Sequence, residues 1–226
     1  MKFGERWTNF LGLNASPERS FLAELERRAL QWLLPRVPAQ LAPADFTRLN
    51  MLGATMAATA LLCSRWAPWA LVFLPIGLGL NWLGAAVDAP LRALRQKSAP
   101  ERSLKEHLAD LFSQVLVILA YGFSPFLSVW SSAVILTCFL LFSAYTYIRV
   151  AAGREERMAL IGIGAGEFRI LMAFWPFLWL GFGLAQPISS SFSALDVAIA
   201  ILAAVAILNL GLKVLSDGRR LLSTRG

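Results

Sequence analysis

The sequence predicts an all-α membrane protein, in which an N-terminal interfacial amphipathic helix precedes six transmembrane helices. Two observations predict this fold class. Of the 226 residues, 57% are hydrophobic and only 15% are charged, whereas a soluble domain carries about 25% charged residues. The apolar residues also come in long runs rather than in alternating patterns, as they do in helices that cross a bilayer.

The first predicted element is a helix over residues 17–34. Ser16 can cap its N-terminus and Pro17 suits its first turn. Its apolar residues share one face and its charged residues fall elsewhere, which is typical of a helix lying along the membrane interface. The alternative is a cytosolic helix packed on the membrane domain. Prolines at positions 35, 38 and 43 then interrupt the chain.

Six apolar segments follow, each long enough, or nearly so, to cross a hydrocarbon core of about 30 Å. They lie at about 47–64, 69–91, 104–122, 126–148, 168–185 and 195–215. The chain therefore divides into three parts. Residues 1–46 form a cytoplasmic and interfacial segment, residues 47–216 form the six-helix transmembrane domain, and residues 217–226 form a cytoplasmic tail.

The basic residues predict the orientation. On this topology twenty of the 21 Lys and Arg residues lie on one side of the membrane, and only Arg65 lies on the other. This asymmetry predicts an integral protein of the inner, cytoplasmic membrane with both termini in the cytoplasm. It also accounts for the net charge of +7, so we expect no nucleic-acid partner.

Three carboxylates stand out because an acid in or near a bilayer is costly and usually marks a site. Asp88 lies about one turn before the cytoplasmic end of the second segment, and Glu106 and Asp110 share a face at the start of the third. In an antiparallel hairpin the three acids can converge just inside the membrane surface. Asn81 lies on the face of Asp88, about 10 Å deeper.

Three neighbouring acids repel one another unless positive charge lies between them. One solution is a divalent metal, which favours oxygen ligands, and another is solvation of the acids at the helix ends. A third is direct ion pairing with nearby basic residues. Those available are Arg92, Arg95, Arg102 and Lys105. The spacing alone leaves all three solutions open.

Four short motifs occur in a fixed order along the chain. They are Ala42-Pro43-Ala44-Asp45-Phe46-Thr47, Asn81-Trp82-Leu83-Gly84, Glu106-His107 with Asp110, and Gly164-Ala165-Gly166-Glu167-Phe168-Arg169. They resemble the T-P-N-x-x-T, N-W-x-G, D-H-x-x-D and G-P-T-E-x-R motifs of the CDP-alcohol phosphotransferase (CDP-alcohol phosphatidyltransferase) family. These membrane enzymes move a phosphatidyl or similar group from a cytidine diphosphate donor to an alcohol.

The resemblance implies a divalent cation, Mg²⁺ or Mn²⁺, held by Asp88, Glu106 and Asp110 against the diphosphate of a CDP-linked donor. Asp110 would act as general base on the alcohol, with His107 as a neighbouring proton carrier or simply a polar interface residue. The residues expected to contact substrate are Asn81, Arg92, Arg95, Arg154, Arg157 and Arg169. The last three could equally be topology-setting charges near anionic headgroups.

The family signature D-x-x-D-G-x-x-A-R is degenerate here. Its first acid corresponds to Ala85, which cannot ligate a metal, and its glycine corresponds to Ala89. The Ala-Arg pair is Arg92-Ala93, and the third acid is Glu106. Two functions therefore remain. One is a phosphotransferase of phospholipid-type biosynthesis with an altered metal site. The other is a non-catalytic relative that binds lipid or an active partner subunit.

The expected partners are membrane lipids, a CDP-linked donor, and a second subunit. The family resemblance implies a homodimer, or a heterodimer with an active family member. A transporter or channel is a third class, and it is less favoured because deep polar residues are few beyond Asn81 and Asn209.

Overall fold

The computed structural model describes residues 23–96, 104–151, 165–182 and 193–223. All regular structure in these ranges is helical, which confirms the all-α class. The α-helices there are α1 (Ala23–Leu33), α2 (Pro43–Cys63), α3 (Phe73–Gln96), α4 (Leu104–Gly122), α5 (Val129–Ala151), α6 (Ala165–Gly181) and α7 (Ala194–Ser223). Short 3₁₀ turns at Leu34–Arg36 and Pro68–Val72 precede α2 and α3.

Three helical stretches of the described chain are long and apolar enough to cross a membrane. They are Pro68–Arg95, Val129–Ile148 and Leu195–Leu215. Two further apolar helices are shorter, His107–Gly122 and Phe168–Gly181. Because helices of this length and composition suit a bilayer core, the chain is a helical protein associated with a membrane.

The N-terminal helix α1 packs on the rest of the molecule. Leu34, just after α1, lies in a buried cluster with Phe46 of α2 and with Val87 and Leu91 of α3. The residues predicted to cap the helix, at positions 16 and 17, lie outside the described residues. The packing agrees with a helix docked on the bundle, and its depth in the membrane interface stays a prediction.

Two contacts tie this N-terminal region to α3. Glu26 accepts a hydrogen bond from the indole nitrogen of Trp82, at 3.0 Å. Elsewhere on α1, hydrogen bonds from Arg28 and Arg27 hold the pKa of Glu24 below its usual value. Arg95 donates to the backbone carbonyls of Pro38, at 2.8 Å, and Leu41. These contacts hold the segment between α1 and α2 against the end of α3.

Helices α2 and α3 pack with their backbones almost in contact. A Cβ atom added to Gly77 would lie 2.7 Å from the backbone nitrogen of Ala57 and 2.7 Å from the carbonyl oxygen of Gly53. A Cβ atom on Gly84 would lie 2.5 Å from the carbonyl oxygen of Phe46. Because glycine alone leaves room for this approach, the polar residues of the two helices are brought face to face.

Asp196 joins the N-termini of α5 and α7. Its carboxylate accepts hydrogen bonds from the hydroxyls of Ser128 and Ser131, the latter at 2.6 Å. It also accepts from the backbone nitrogen and the hydroxyl of Ser193, both at 2.8 Å. A carboxylate at a helix N-terminus accepts hydrogen bonds from backbone and hydroxyl donors. The apolar side chains around these donors offer no acceptor.

Tyr121 satisfies a carbonyl group that a proline leaves without its helical donor. Pro176 lies inside α6 and has no N–H, so the carbonyl of Met172, four residues earlier, lacks its usual intrahelical partner. The buried hydroxyl of Tyr121, on α4, donates a hydrogen bond to that carbonyl. An unsatisfied backbone group is costly inside a bilayer, so this bond stabilises the contact between α4 and α6.

Tyr121→Phe is expected to lower the free energy of unfolding by about 1 kcal/mol, the usual size of a hydrogen bond between membrane helices. Pro176→Ala should remove most of that loss, because the α6 backbone then supplies its own donor to Met172. Thermal unfolding of the parent, both single variants and the double variant in detergent measures the coupling. An equal loss in both backgrounds would contradict the role of Tyr121.

Candidate functional site

Polar side chains of α2, α3, α4 and α6 meet inside the bundle. Asn50 on α2, Asn81 and Asp88 on α3, and Gln114 on α4 are all buried. Buried polar groups need hydrogen-bond partners, particularly within a membrane. The contacts that supply those partners show which site residues predicted from the sequence lie together.

Asp88 is part of an ion pair within α3. Its side chain is 5% exposed, and its Oδ1 atom lies 3.2 Å from Nη2 of Arg92, one turn later. Its Oδ2 atom accepts a hydrogen bond from the hydroxyl of Thr47 on α2. Direct pairing with Arg92 was one of the three solutions open from the sequence, and the structure adopts it for this acid.

Asp110 pairs with an arginine from another helix. Its Oδ1 atom lies 3.2 Å from Nη2 of Arg169 on α6, and the two side chains are 25% and 12% exposed. The basic residues considered from the sequence as counter-ions lie at the end of α3, at the start of α4 or between the two helices. Arg169 is 59 residues from Asp110, and only its place in the G-P-T-E-x-R resemblance signalled that it belongs to the site.

Three amide side chains continue this network into the bundle. Asn81 donates through Nδ2 to Oδ1 and to the backbone carbonyl of Asn50, the latter at 3.3 Å. Nε2 of Gln114 lies 3.3 Å from Oδ1 of Asn81. This contact places position 81 level with position 114, as in the antiparallel hairpin predicted for α3 and α4.

The amide of Gln114 also faces Arg169. With its oxygen turned toward the guanidinium, an orientation that gives up the Nε2 hydrogen bond to Asn81, Oε1 accepts hydrogen bonds from Nη2 and Nε of Arg169, at 3.2 and 3.3 Å. A guanidinium has donors and no acceptor, so this orientation satisfies it.

Thr47, Asn50 and Gln114 were missed by sequence reasoning as site residues. Their signal was the helical spacing, because Thr47 precedes Asn50 by three residues and Gln114 follows Asp110 by four.

The described residues do not fit a divalent metal in this arrangement. Ala85, at the position of the first family acid, is buried and offers no ligand atom. Of the three predicted metal ligands, Asp88 and Asp110 have described side chains, and both lie against guanidinium groups. The backbone of Glu106 lies in the first turn of α4, and its side chain is outside the described set. Within that set no group of three acidic, His or Cys side chains is placed to hold a metal ion.

The remaining predicted site residues fall in three places. His107 stacks edge-on against the ring of Tyr147 on α5, with ring centroids 5.2 Å apart. Arg95 binds the two backbone carbonyls ahead of α2 that are described above. Arg154 and Arg157 lie outside the described residues. The structure therefore brings together Asn81 and Asp110 through Gln114 and Arg169, whereas Asp88 contacts Thr47 on α2 and Arg92 on α3.

The fold and the site together define a class: a helical, membrane-associated protein in which Asp88 and Asp110 each pair with an arginine. Comparison with protein-family models, curated proteins and solved structures gives no match for the chain. The resemblance to CDP-alcohol phosphotransferases therefore rests on the order and spacing of the four motifs and on the degenerate signature between them.

Proposed function

We propose that this chain is a non-catalytic relative of the CDP-alcohol phosphotransferases that binds the headgroup of a membrane lipid. It would span the cytoplasmic membrane with the six helices α2–α7, with α1 at the interface and both termini in the cytoplasm. Divalent metal and a CDP-linked donor would play no part in its activity. Its second subunit would be another copy or an active family member.

One observation carries the proposal: Asp88 and Asp110 each form an ion pair with an arginine, at 3.2 Å. Phosphoryl transfer from a diphosphate needs the acids to hold cations against the phosphates. Acids already engaged by guanidinium groups, beside an alanine at the first position of the signature, lack that capacity. Arginines outside these two pairs that are exposed, such as Arg48 with its side chain 82% exposed, are suited to phosphate headgroups instead.

Features outside the site support the proposed topology. The bounds of α2–α7 fall close to the six apolar segments of the sequence, and many apolar side chains of α5 and α7 remain exposed, as lipid-facing side chains are. On α1, Leu25 and Trp32 are 62% and 60% exposed, and Arg36 lies over the Trp32 ring at 4.2 Å. Exposed Trp beside Arg is typical of an interfacial helix.

A second candidate is an altered phosphotransferase. The contact between Asn81 and Gln114 supports it, because it places polar side chains of α3 and α4, the two helices that carry the predicted acids, against each other. Asp110 remains 25% exposed on its side chain, so a substrate could reach it. This candidate requires a metal to displace at least one of the two arginines.

The purified protein is expected to release no CMP from a CDP-linked lipid in the presence of Mn²⁺ and an alcohol mixture. It should retain phospholipid through detergent exchange, as measured by native mass spectrometry. Asp88→Asn and Asp110→Asn serve as controls for any activity from contaminating enzymes. Metal-dependent CMP release by the parent that Asp110→Asn abolishes would overturn the proposal and establish the altered phosphotransferase. Absence of bound phospholipid, with CMP release also absent, would overturn the lipid-binding function.

A further inference from the structure

The guanidinium of Arg169 sits in a cradle of two oxygen atoms from α4. Nη2 of Arg169 lies 3.2 Å from Oδ1 of Asp110, and it lies 3.2 Å from Oε1 of Gln114 once that amide turns its oxygen toward the arginine. Asp110 and Gln114 are four residues apart, so they project from successive turns of one helix face. One nitrogen of Arg169 is therefore held by a carboxylate oxygen and an amide oxygen together.

This pair of ligands has the chemistry of a cation site. Carboxylate and side-chain amide oxygens are the groups that hard divalent cations bind in proteins. A guanidinium carries a permanent positive charge and offers only donors, so it can satisfy the same two oxygens. Either cation loses water on entering, but Arg169 belongs to the chain itself, and the fold places its guanidinium against these two oxygens.

We propose that the guanidinium of Arg169 occupies the Asp110–Gln114 cradle in place of an inorganic cation. This part of the bundle then needs no metal ion. Asp88 shows the same chemical solution on α3, where Arg92 lies 3.2 Å from its carboxylate. The inference goes beyond the proposed function, and its test needs neither nucleotide nor lipid. It can therefore fail while the proposed lack of phosphoryl transfer stands, and the reverse also holds.

The first experiment uses Mn²⁺ alone as the probe, with the full chain in detergent at constant ionic strength. The parent should show no saturable loss of the free Mn²⁺ electron paramagnetic resonance signal and no change in melting temperature. Arg169→Met should melt at a lower temperature than the parent, bind Mn²⁺ and regain part of the lost melting temperature. Adding Asp110→Asn to Arg169→Met should abolish that response. Arg169→Lys, which keeps a positive charge, should respond as the parent does.

Two outcomes would overturn the inference. One is saturable Mn²⁺ binding by the parent that Asp110→Asn removes, because the cradle would then accept metal with Arg169 present. The other is a folded Arg169→Met variant that responds to Mn²⁺ no more than its Asp110→Asn double variant does. A residue that only packs α6 against α4 would not create a metal response on removal.

A charge-relocation experiment keeps the inference testable should Arg169→Met fail to fold. Asp110→Asn should lower the melting temperature, because the buried guanidinium loses its anionic oxygen. Adding Gln114→Glu returns one negative charge to the cradle, one turn away, and should restore most of the loss. The cradle would be contradicted if the double variant were no more stable than Asp110→Asn alone. A residue that only packs the helices together would not depend on which of the two positions carries the charge.

Discussion

Gly77→Ala is expected to destabilise the protein severely, by about 3 kcal/mol or more, because overpacking of this kind has no flexible atom to displace. The added Cβ atom would lie 2.7 Å from the Ala57 nitrogen, 2.7 Å from the Gly53 oxygen and 3.1 Å from the Ala57 Cα. All three are backbone atoms of α2. The helices can accept the methyl group only by moving apart.

Moving α2 from α3 would also weaken the polar network. Asn50 and Thr47 of α2 bind Asn81 and Asp88 of α3 across this contact, so the added methyl group should loosen both hydrogen bonds. The loss corresponds to roughly 6–12 °C in melting temperature for a chain of this size. Thermal unfolding followed by circular dichroism in detergent measures it.

Gly79→Ala is the matched control, two residues further along the same helix. A Cβ atom there meets no other atom within 4 Å, so the same substitution should leave stability unchanged or raise it by about 0.5–1 kcal/mol through helix propensity. Similar melting temperatures for the two variants would show that α2 and α3 are not in close contact at Gly77.

The helices themselves could be predicted because their physical cause lies in local sequence. Apolar runs of helical length are visible in the sequence itself, and the third segment, predicted over 104–122, is observed as the helix Leu104–Gly122. Helix α7 continues to Ser223, beyond the predicted limit at 215, because helical hydrogen bonding does not stop where the apolar run ends. Composition therefore predicts the apolar stretch of a helix and not the residue at which the helix ends.

The pairing at the site depended on which helices pack together, and sequence spacing does not encode that. Asp88 and Arg92 lie one turn apart on α3 and could be predicted as partners. Arg169 reaches Asp110 only because α6 lies beside α4. Tertiary contacts such as the hydrogen bond between Tyr121 and Met172 set that arrangement, and the local sequence does not reveal them. The close approach of α2 to α3 at Gly77 could likewise not be predicted from the hydropathy of the sequence.

Burial is expected to decide what the Asp88–Arg92 pair contributes to stability. Arg92→Met leaves a carboxylate that is 5% exposed without this guanidinium, while keeping an apolar stem in the space of the arginine side chain. Breaking a buried ion pair by removing one partner costs about 3–5 kcal/mol. Arg92 is itself 23% exposed, so we expect a loss at the lower end, about 3 kcal/mol, measured by thermal unfolding in detergent.

Arg48→Met tests an ion pair of the same kind that is exposed to solvent. Arg48 pairs with Asp45 at 3.1 Å, almost the same distance as in the Arg92 pair, but the arginine side chain is 82% exposed. Exposed ion pairs contribute about 0–1 kcal/mol, so Arg48→Met should cost no more than that. Because charge, distance and substitution are matched, the difference between the two variants measures burial. Equal losses would show that Asp88 is solvated rather than enclosed, and that an inorganic cation could reach the C-terminal end of α3.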